Sequence, residues 1–245
     1  MVFLKVLFIF HQNFDAAIID LDGTMVDTMG DFVVAINLML RDLGLDAVNQ
    51  AVVALRVGKG SGNLVISVLN HVAAQSNQAQ AAPENVAYFE RAMALYQQHY
   101  RAVNGQNARV YPGVVDGLQA LQRAGLKLAC LTNKPVGFAR ELLQLKGLDV
   151  FFSHVFGGDS FAAKKPDGLP VLKTCEALGT LPKKTLMVGD SSNDAQAARA
   201  AGCPVVLVTY GYNHGEPVAS TGANVDADAV IESLVQLGSL PGLKP

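Results

Sequence analysis

Short apolar runs alternate with segments of helical periodicity along most of the chain. Several of the runs are continuously apolar, which is typical of strands buried on both faces of a parallel sheet. The segments between them carry apolar residues at helical spacing and end at a glycine, a common helix stop. The predicted strands are 16–20, 126–132, 154–158, 185–190 and 204–210, and the predicted helices are 114–124, 135–147, 168–178 and 192–201. This alternation predicts an α/β fold in which helices cover both faces of a parallel sheet.

One long segment breaks the alternation. Residues 31–107 contain no convincing strand and carry stretches with helical spacing instead. We therefore predict a small all-helical unit of residues 31–107, inserted after the first strand of a core formed by residues 15–30 and 108–245. Residues 1–14 are predicted to be an N-terminal extension packed on the body, since their apolar stretch is about half of the ~20 residues that a membrane span needs. A weak membrane anchor and a misassigned start site are the alternatives for this extension.

The composition favours a folded chain without a broad charged surface. Of 245 residues, 50% are hydrophobic and 16% are charged, and the net charge is −2. Such a chain can bury a large core, and the absence of a Lys/Arg-rich run argues against binding of a nucleic acid polymer. Stable membrane insertion is not expected, and the chain is expected to be a monomer or a homodimer. The widely spaced Cys130, Cys175 and Cys203 predict buried free thiols and a cytoplasmic location, where thiols stay reduced.

Polar side chains cluster where the predicted strands end. In a parallel sheet the loops at the carboxyl ends of the strands form the ligand crevice. The first strand ends in "DLDGT", the second in "LTNK" and the fourth in "GDSSND", and "AAKKPDG" follows the third. Acids, a small hydroxyl residue, an amide and a lysine are therefore expected to converge on one rim.

The predicted rim has the chemistry of a metal-dependent phosphate site. Four acids, Asp20, Asp22, Asp190 and Asp194, are too many to sit together ionised without a cation. Hard carboxylate oxygens with no Cys or His nearby favour Mg²⁺. A lysine beside them would bind an anion such as phosphate. The remaining phosphate oxygens would be held by Thr132, by Asn133 and by backbone N–H groups around Gly23.

These four motifs, in this order, resemble those of the haloacid dehalogenase (HAD) superfamily of phosphatases. The resemblance implies a Rossmann-like core in which the helical insertion is a small cap over the substrate. It also implies that Asp20 is a nucleophile that becomes aspartyl-phosphate and that Asp22 is the general acid and base. Mg²⁺ would be held by the side chains of Asp20 and Asp190 and by the Asp22 backbone carbonyl. Lys165 would bind phosphate, and Asp194 would orient Lys165 or a metal-bound water.

Several shorter segments resemble one branch of that superfamily, the bacterial phosphoglycolate phosphatases. The most specific is "TYGYNHGEP", residues 209–217, because general phosphatase chemistry does not require it. The resemblance implies Mg²⁺-dependent hydrolysis of 2-phosphoglycolate, a small phosphorylated metabolite, to glycolate and phosphate. The alternatives are a HAD phosphatase or phosphomutase acting on another small ester such as a sugar phosphate or pyrophosphate, and a non-catalytic module that keeps the fold.

Some positions keep more than one interpretation. The segment "GKGSGN", residues 58–63, is either a substrate-specificity loop or a flexible connection. Lys59 in this segment, or Arg56 just before it, is a candidate to meet the substrate carboxylate. Lys165 is preferred over Lys164 as the phosphate-binding lysine, because the residue before a proline is biased to an extended conformation and matches the family position.

Overall fold

The computed structural model describes residues 13–76, 85–219 and 225–239. Its main sheet has six strands in the order β5-β4-β1-β6-β7-β8, and each neighbouring pair is parallel. The strands are β1 (Ala16–Ile19), β4 (Lys127–Leu131), β5 (His154–Phe156), β6 (Thr185–Gly189), β7 (Val205–Val208) and β8 (Ala229–Ile231). This sheet confirms the predicted α/β class.

The central strand β1 shows why the strand sequences are apolar throughout. All four of its residues are buried. Ala17 and Ile19 pack in one hydrophobic cluster, while Ala16 and Ile18 pack in a second cluster. Because side chains alternate across a strand, a strand covered on both sides needs an apolar residue at every position. The continuous apolar runs are therefore the signature of a sheet with two cores.

Helices cover both faces of the sheet. Buried residues of α5 (Val114–Arg123) and α6 (Val136–Leu145) belong to the first cluster. Buried residues of α7 (Leu169–Leu178) and α8 (Ser192–Ala201) belong to the second. The last two helices end at glycines in the left-handed conformation, as their sequences predict.

The described part of the inserted segment consists of helices joined by loops. It contains α1 (Met29–Asp42), α2 (Gln50–Ala54), α3 (Ser61–Ser76) and α4 (Val86–Val103). A third hydrophobic cluster joins these helices, and in it the rings of Phe32 and Tyr100 stack with centroids 5.5 Å apart. The short strands β2 (Val26–Asp27) and β3 (Arg109–Val110) pair antiparallel where the chain leaves the core and returns to it.

The elements that the pattern missed are short. The pattern does not predict α2, β2, β3 or β8, because segments of two to five residues carry too little periodicity. Helix α3 ends at residue 76, and residues 77–84 lie outside the described part. Most of the predicted N-terminal extension, residues 1–12, also lies outside it. The predicted domain boundaries remain predictions.

A buried carboxylate connects the first helix of the insertion to the segment, residues 105–107, through which the chain returns to the core. Asp31 on α1 is fully buried, and its two oxygens accept hydrogen bonds of 2.7 Å from the backbone N–H groups of Gly105 and Asn107. This segment is also held by Lys146, whose ammonium donates to the Gly105 carbonyl at 2.7 Å. These bonds therefore hold together the segments through which the chain enters and leaves the insertion.

Replacing Asp31 with Ala should destabilise the protein by about 2–4 kcal/mol, because two buried backbone N–H groups lose their acceptor. The measurement is the free energy of unfolding from denaturant titration. Asp46→Ala, at an exposed position in the same insertion, is the control and should change it by less than about 0.5 kcal/mol. Equal stabilities of the two variants would contradict the assigned role of Asp31.

Candidate active site

The carboxyl ends of three adjacent strands bring the predicted polar residues together. Asp20 and Asp22 follow β1, Thr132 and Asn133 follow β4, and Asp190 follows β6. Strand β1 lies between the other two strands in the sheet. The convergence inferred from the parallel arrangement is therefore present.

Lys165 joins two of the acids. Its Nζ atom lies 2.8 Å from Oδ1 of Asp20 and 2.7 Å from Oδ1 of Asp194, and it also donates to the Leu131 carbonyl at 2.9 Å. The side chain is 2% exposed. The ammonium of Lys164 points elsewhere and donates to the backbone carbonyl of Lys59. Of the two lysines, it is Lys165 that faces the acids.

Asp194 is held by two sets of contacts. One oxygen meets Lys165, and the other accepts from the N–H and hydroxyl of Ser191 at 3.2 and 2.8 Å and from the N–H of Asp190 at 3.2 Å. The contact with the Ser191 N–H belongs to a capping box at the start of α8, in which the Ser191 side chain accepts from the Asp194 N–H in return. Asp194 therefore caps this helix and also contacts Lys165.

Burial and mutual repulsion disfavour the charged forms of two acids. Burial, which outweighs the attraction of Lys165, raises the pKa of Asp20 to about 7. The pKa of Asp190 is raised well above its ordinary value, first by burial and then by the charges of Asp194 and Asp20. Together these shifts indicate negative charge that the surrounding groups do not fully compensate.

The donor set fits a hard divalent cation. One carboxylate oxygen each from Asp20, Asp190 and Asp194 lies within 4.8 Å of the others, and all three residues are buried. Carboxylate oxygens are ligands typical of hard cations. A bound cation would also offset the repulsion that raises the pKa values of Asp20 and Asp190. Asp20 and Asp190 are the candidate ligands, because Asp194 already accepts four hydrogen bonds, one of them from the Lys165 ammonium, whereas Asp190 accepts two.

A second buried lysine, not singled out from the sequence, faces Asp22. The Nζ atom of Lys134 donates to both oxygens of Asp22, at 2.8 and 3.0 Å, and its side chain is 3% exposed. It also lies 4.8 Å from the ring centroids of Phe32 and Tyr100. The Thr28 hydroxyl donates to Asp22 as well, at 2.8 Å. The position of Lys134 in "LTNK" was the available signal, because it follows the same strand end.

The predicted phosphate ligands differ in what they can still offer. Thr132 lines the cavity, and its hydroxyl accepts from the N–H of Lys134 at 3.2 Å. Asn133 uses its amide nitrogen to donate to the carbonyls of Lys165 and Gly58, at 2.8 and 3.0 Å. The N–H of Gly23 donates to the Val26 carbonyl at 2.9 Å. This geometry gives no support to a phosphate contact by the amide of Gly23 itself, which stays a prediction.

Gly23 has a clear packing role instead. Its φ of +84° is left-handed, and a Cβ atom there would overlap the Asp190 carboxylate. Because Gly23 has no side chain, the Asp190 carboxylate can lie against the loop that follows β1.

A loop of the helical insertion is bonded to the core around the site. The Gly58 carbonyl accepts from Asn133 and from Asn193, each at 3.0 Å. The Lys59 carbonyl accepts from Lys164 at 2.9 Å, and the Val57 carbonyl meets Nδ1 of His214 at 2.8 Å. Residues 57–59 form these contacts through backbone carbonyls, so the loop sequence does not reveal them.

The core and the insertion enclose a cavity of about 50 Å³ between them. Core residues form its polar side. The insertion contributes mainly apolar and small residues, which are Phe32, Val57, Gly58, Gly60, Ser61, Leu64, Tyr96 and Tyr100. Neither of the predicted specificity residues is among the lining residues. The Arg56 guanidinium donates to the carbonyls of Ser67 and Val52 within the insertion, and Lys59 lines an outer groove with Lys164. Their role in specificity remains a prediction.

The segment 209–217 braces the site from the core side. The backbone N–H of Tyr212 donates to Oδ2 of Asp190 at 2.6 Å. Its hydroxyl donates to Asp27 and accepts from the N–H of Thr28, both at 2.7 Å. Asn213 accepts from the first N–H of α8, that of Ser192, at 2.8 Å. One short segment thus contacts a metal-ligand candidate, the linker into the insertion and the helix that carries Asp194.

Fold and site together define an α/β protein with buried aspartates and a lysine at the carboxyl end of a parallel sheet. The family model for haloacid dehalogenase-like hydrolases matches residues 14–202. The chain belongs to the haloacid dehalogenase-like hydrolase family. Within the described residues, no helix is long and apolar enough to span a bilayer.

Several proteins similar to this chain have functional names. The chain is 42% identical over 221 residues to a phosphoglycolate phosphatase of Thiobacillus denitrificans, covering 90% of this chain and 92% of the relative. It is 44% identical over 226 residues to one of Cupriavidus necator, covering 92% of each. A crystal structure from Haemophilus somnus, named a predicted phosphoglycolate phosphatase, has a TM-score of 0.83 and 31% identity, with 91% of this chain and 96% of that chain covered.

Without added metal, Asp20→Asn should stabilise the folded protein at neutral pH. Because the folded-state pKa lies above the ordinary value, the folded protein keeps a proton that the unfolded chain has lost, and stability falls as pH rises from about 4 towards 7. Because Asn carries no charge, the variant does not lose this stability as the pH rises. The gain at pH 7.5 is at most about 4 kcal/mol. The measurement is Tm against pH in EDTA.

Asp116→Asn, exposed on α5, is the control and should follow the wild-type pH profile. An Asp20→Asn protein that is less stable than the wild type in EDTA at pH 7.5 would show that the Asp20 charge is compensated without a metal ion.

Proposed function

We propose that the protein is a Mg²⁺-dependent phosphatase that hydrolyses 2-phosphoglycolate to glycolate and phosphate. The observation that carries the proposal is the pairing of buried Asp20 with the ammonium of Lys165, 2.8 Å away, beside further buried aspartates. The named relatives support the substrate, because they are phosphoglycolate phosphatases at 42–44% identity. The donor set supports Mg²⁺, because hard oxygen ligands suit it.

In this proposal Asp20 attacks phosphorus and forms an aspartyl-phosphate, which water then hydrolyses. Lys165 offsets the negative charge of the phosphoryl oxygens and holds Asp20 in place, and the Thr132 hydroxyl takes another phosphoryl oxygen. Asp22 protonates the leaving oxygen of glycolate and later removes a proton from the attacking water. Mg²⁺, held by Asp20, Asp190 and the Asp22 carbonyl, would lower the charge repulsion between carboxylate and phosphate.

The helical insertion serves as the cap in this scheme. Its loop at residues 57–59 is bonded to the core around the site, and its apolar residues wall the cavity. A cavity of about 50 Å³ has room for roughly four water molecules. That size favours an ester with a small leaving group over a nucleotide. The buried free thiols suit a reducing compartment such as the cytoplasm.

The test is phosphate release from 2-phosphoglycolate, a sugar phosphate, pyrophosphate and a nucleoside monophosphate, each with Mg²⁺ and with EDTA. We expect the highest kcat/KM for 2-phosphoglycolate and no turnover in EDTA. Asp20→Asn should lower kcat by at least about 10³-fold, because the nucleophile is lost. Asp116→Asn is the matched control and should retain wild-type kcat.

The outcomes separate the parts of the proposal. A higher kcat/KM for another ester would contradict the substrate while keeping the chemistry. Turnover in EDTA would contradict the metal dependence, and near-normal turnover by Asp20→Asn would contradict the nucleophile.

A further inference from the structure

Two lysine ammonium groups reach the cavity, and their surroundings differ. Among the described residues that line it, Lys165 and Lys134 carry the positive charges. Lys165 donates hydrogen bonds to Asp194 and to the Leu131 carbonyl, and its ammonium lies 2.8 Å from Asp20. Two carboxylates therefore surround this ammonium, which lies beside the proposed nucleophile.

Lys134 has a different environment. The acceptors recorded for its ammonium are the two oxygens of a single carboxylate, that of Asp22. Its other close neighbours are the faces of Phe32 and Tyr100, which accept no conventional hydrogen bond. An ammonium held this way retains donor capacity and is almost completely shielded from water, with 3% of the side chain exposed. Asp22 offsets part of its charge, and a second anion arriving in the cavity could accept the remaining N–H in surroundings that screen the interaction weakly.

A neighbouring hydroxyl also lacks a partner. Tyr100 is 2% exposed and lines the cavity, and its hydroxyl oxygen is buried without a hydrogen bond. A buried hydroxyl left unpaired destabilises the protein, so a ligand oxygen that accepted its hydrogen bond would gain affinity. Tyr100 comes from α4 of the insertion and Lys134 from the core loop after β4. The Lys134 ammonium lies 4.8 Å from the centre of the Tyr100 ring, where the insertion and the core pack together.

We infer that Lys134 and the Tyr100 hydroxyl form the subsite that binds the carboxylate of the substrate. This inference rests on the proposed function and names the residues that distinguish a carboxylated phosphate ester from a neutral one. If Asp22 protonates the leaving oxygen, the ammonium 2.8 Å from Asp22 lies beside the leaving group. In 2-phosphoglycolate the carboxylate is one carbon beyond that oxygen. Under this inference, specificity for the substrate carboxylate depends on Lys134 and Tyr100 and not on Arg56 or Lys59.

The experiment compares 2-phosphoglycolate with its neutral isostere 2-phosphoglycolamide in the presence of Mg²⁺. The measured quantity is the ratio of their kcat/KM values, because a change in the chemistry alone lowers both values and leaves the ratio unchanged. A hydrogen bond to a charged group is worth about 1.5–3 kcal/mol, so we expect the wild-type ratio to lie between about 10 and 150 in favour of the acid.

Lys134→Gln should bring the ratio close to one, and Lys134→Arg should restore part of it because the positive charge returns. Tyr100→Phe should lower the ratio by roughly threefold to tenfold, since a single neutral donor is lost. The controls are Lys173→Gln, exposed on α7, and Tyr88→Phe, at a partly exposed position of α4. Both controls should keep the wild-type ratio.

Two results would overturn the inference. The first is a wild-type ratio near one, which needs no variant and holds even if Lys134→Gln fails to fold. The second is an unchanged ratio in Lys134→Gln, which would mean that Lys134 only positions Asp22. Preference of the wild type for an ester without a carboxylate would instead contradict the proposed function, so the two failures are distinguishable.

Discussion

The structure depends on keeping several carboxylates together inside the protein at one end of a parallel sheet. Asp20, Asp190 and Asp194 are buried within reach of one another, and like charges at that distance are costly. Lys165 offsets part of the charge, and the amide of Tyr212 and the capping box of α8 hold individual oxygens. Burial and the remaining uncompensated negative charge keep the pKa values of Asp20 and Asp190 high. The same deficit makes the site suited to a divalent cation and a phosphate ester.

The helical insertion completes the site chiefly by shape. It covers the acids with apolar side chains and accepts core hydrogen bonds through the backbone carbonyls of Val57, Gly58 and Lys59. Because these contacts use the backbone, they depend on the path of the loop and not on its side chains. The positive charges that line the cavity come from the core, while the insertion supplies the rings around Lys134.

The segment 209–217 connects parts of the site that are far apart in the sequence. Tyr212 contacts Asp190 through its N–H and contacts the linker at Asp27 and Thr28 through its hydroxyl. His214 reaches the loop of the insertion from the same segment. A sequence feature without an evident chemical task thus connects the acidic centre, the linker and the insertion. Its contacts are mostly structural, which is why catalytic reasoning alone assigned it no role.

The sequence by itself determined the α/β class, most element positions and the identity of the acids, because strand burial and strand-end motifs are local patterns. Only the tertiary structure decided which polar groups meet. It paired Lys134 with Asp22, committed the Gly23 amide to a turn and placed Arg56 and Lys59 outside the cavity lining. These outcomes depend on how side chains pack between core and insertion. Sequence spacing carries no information about contacts across that junction.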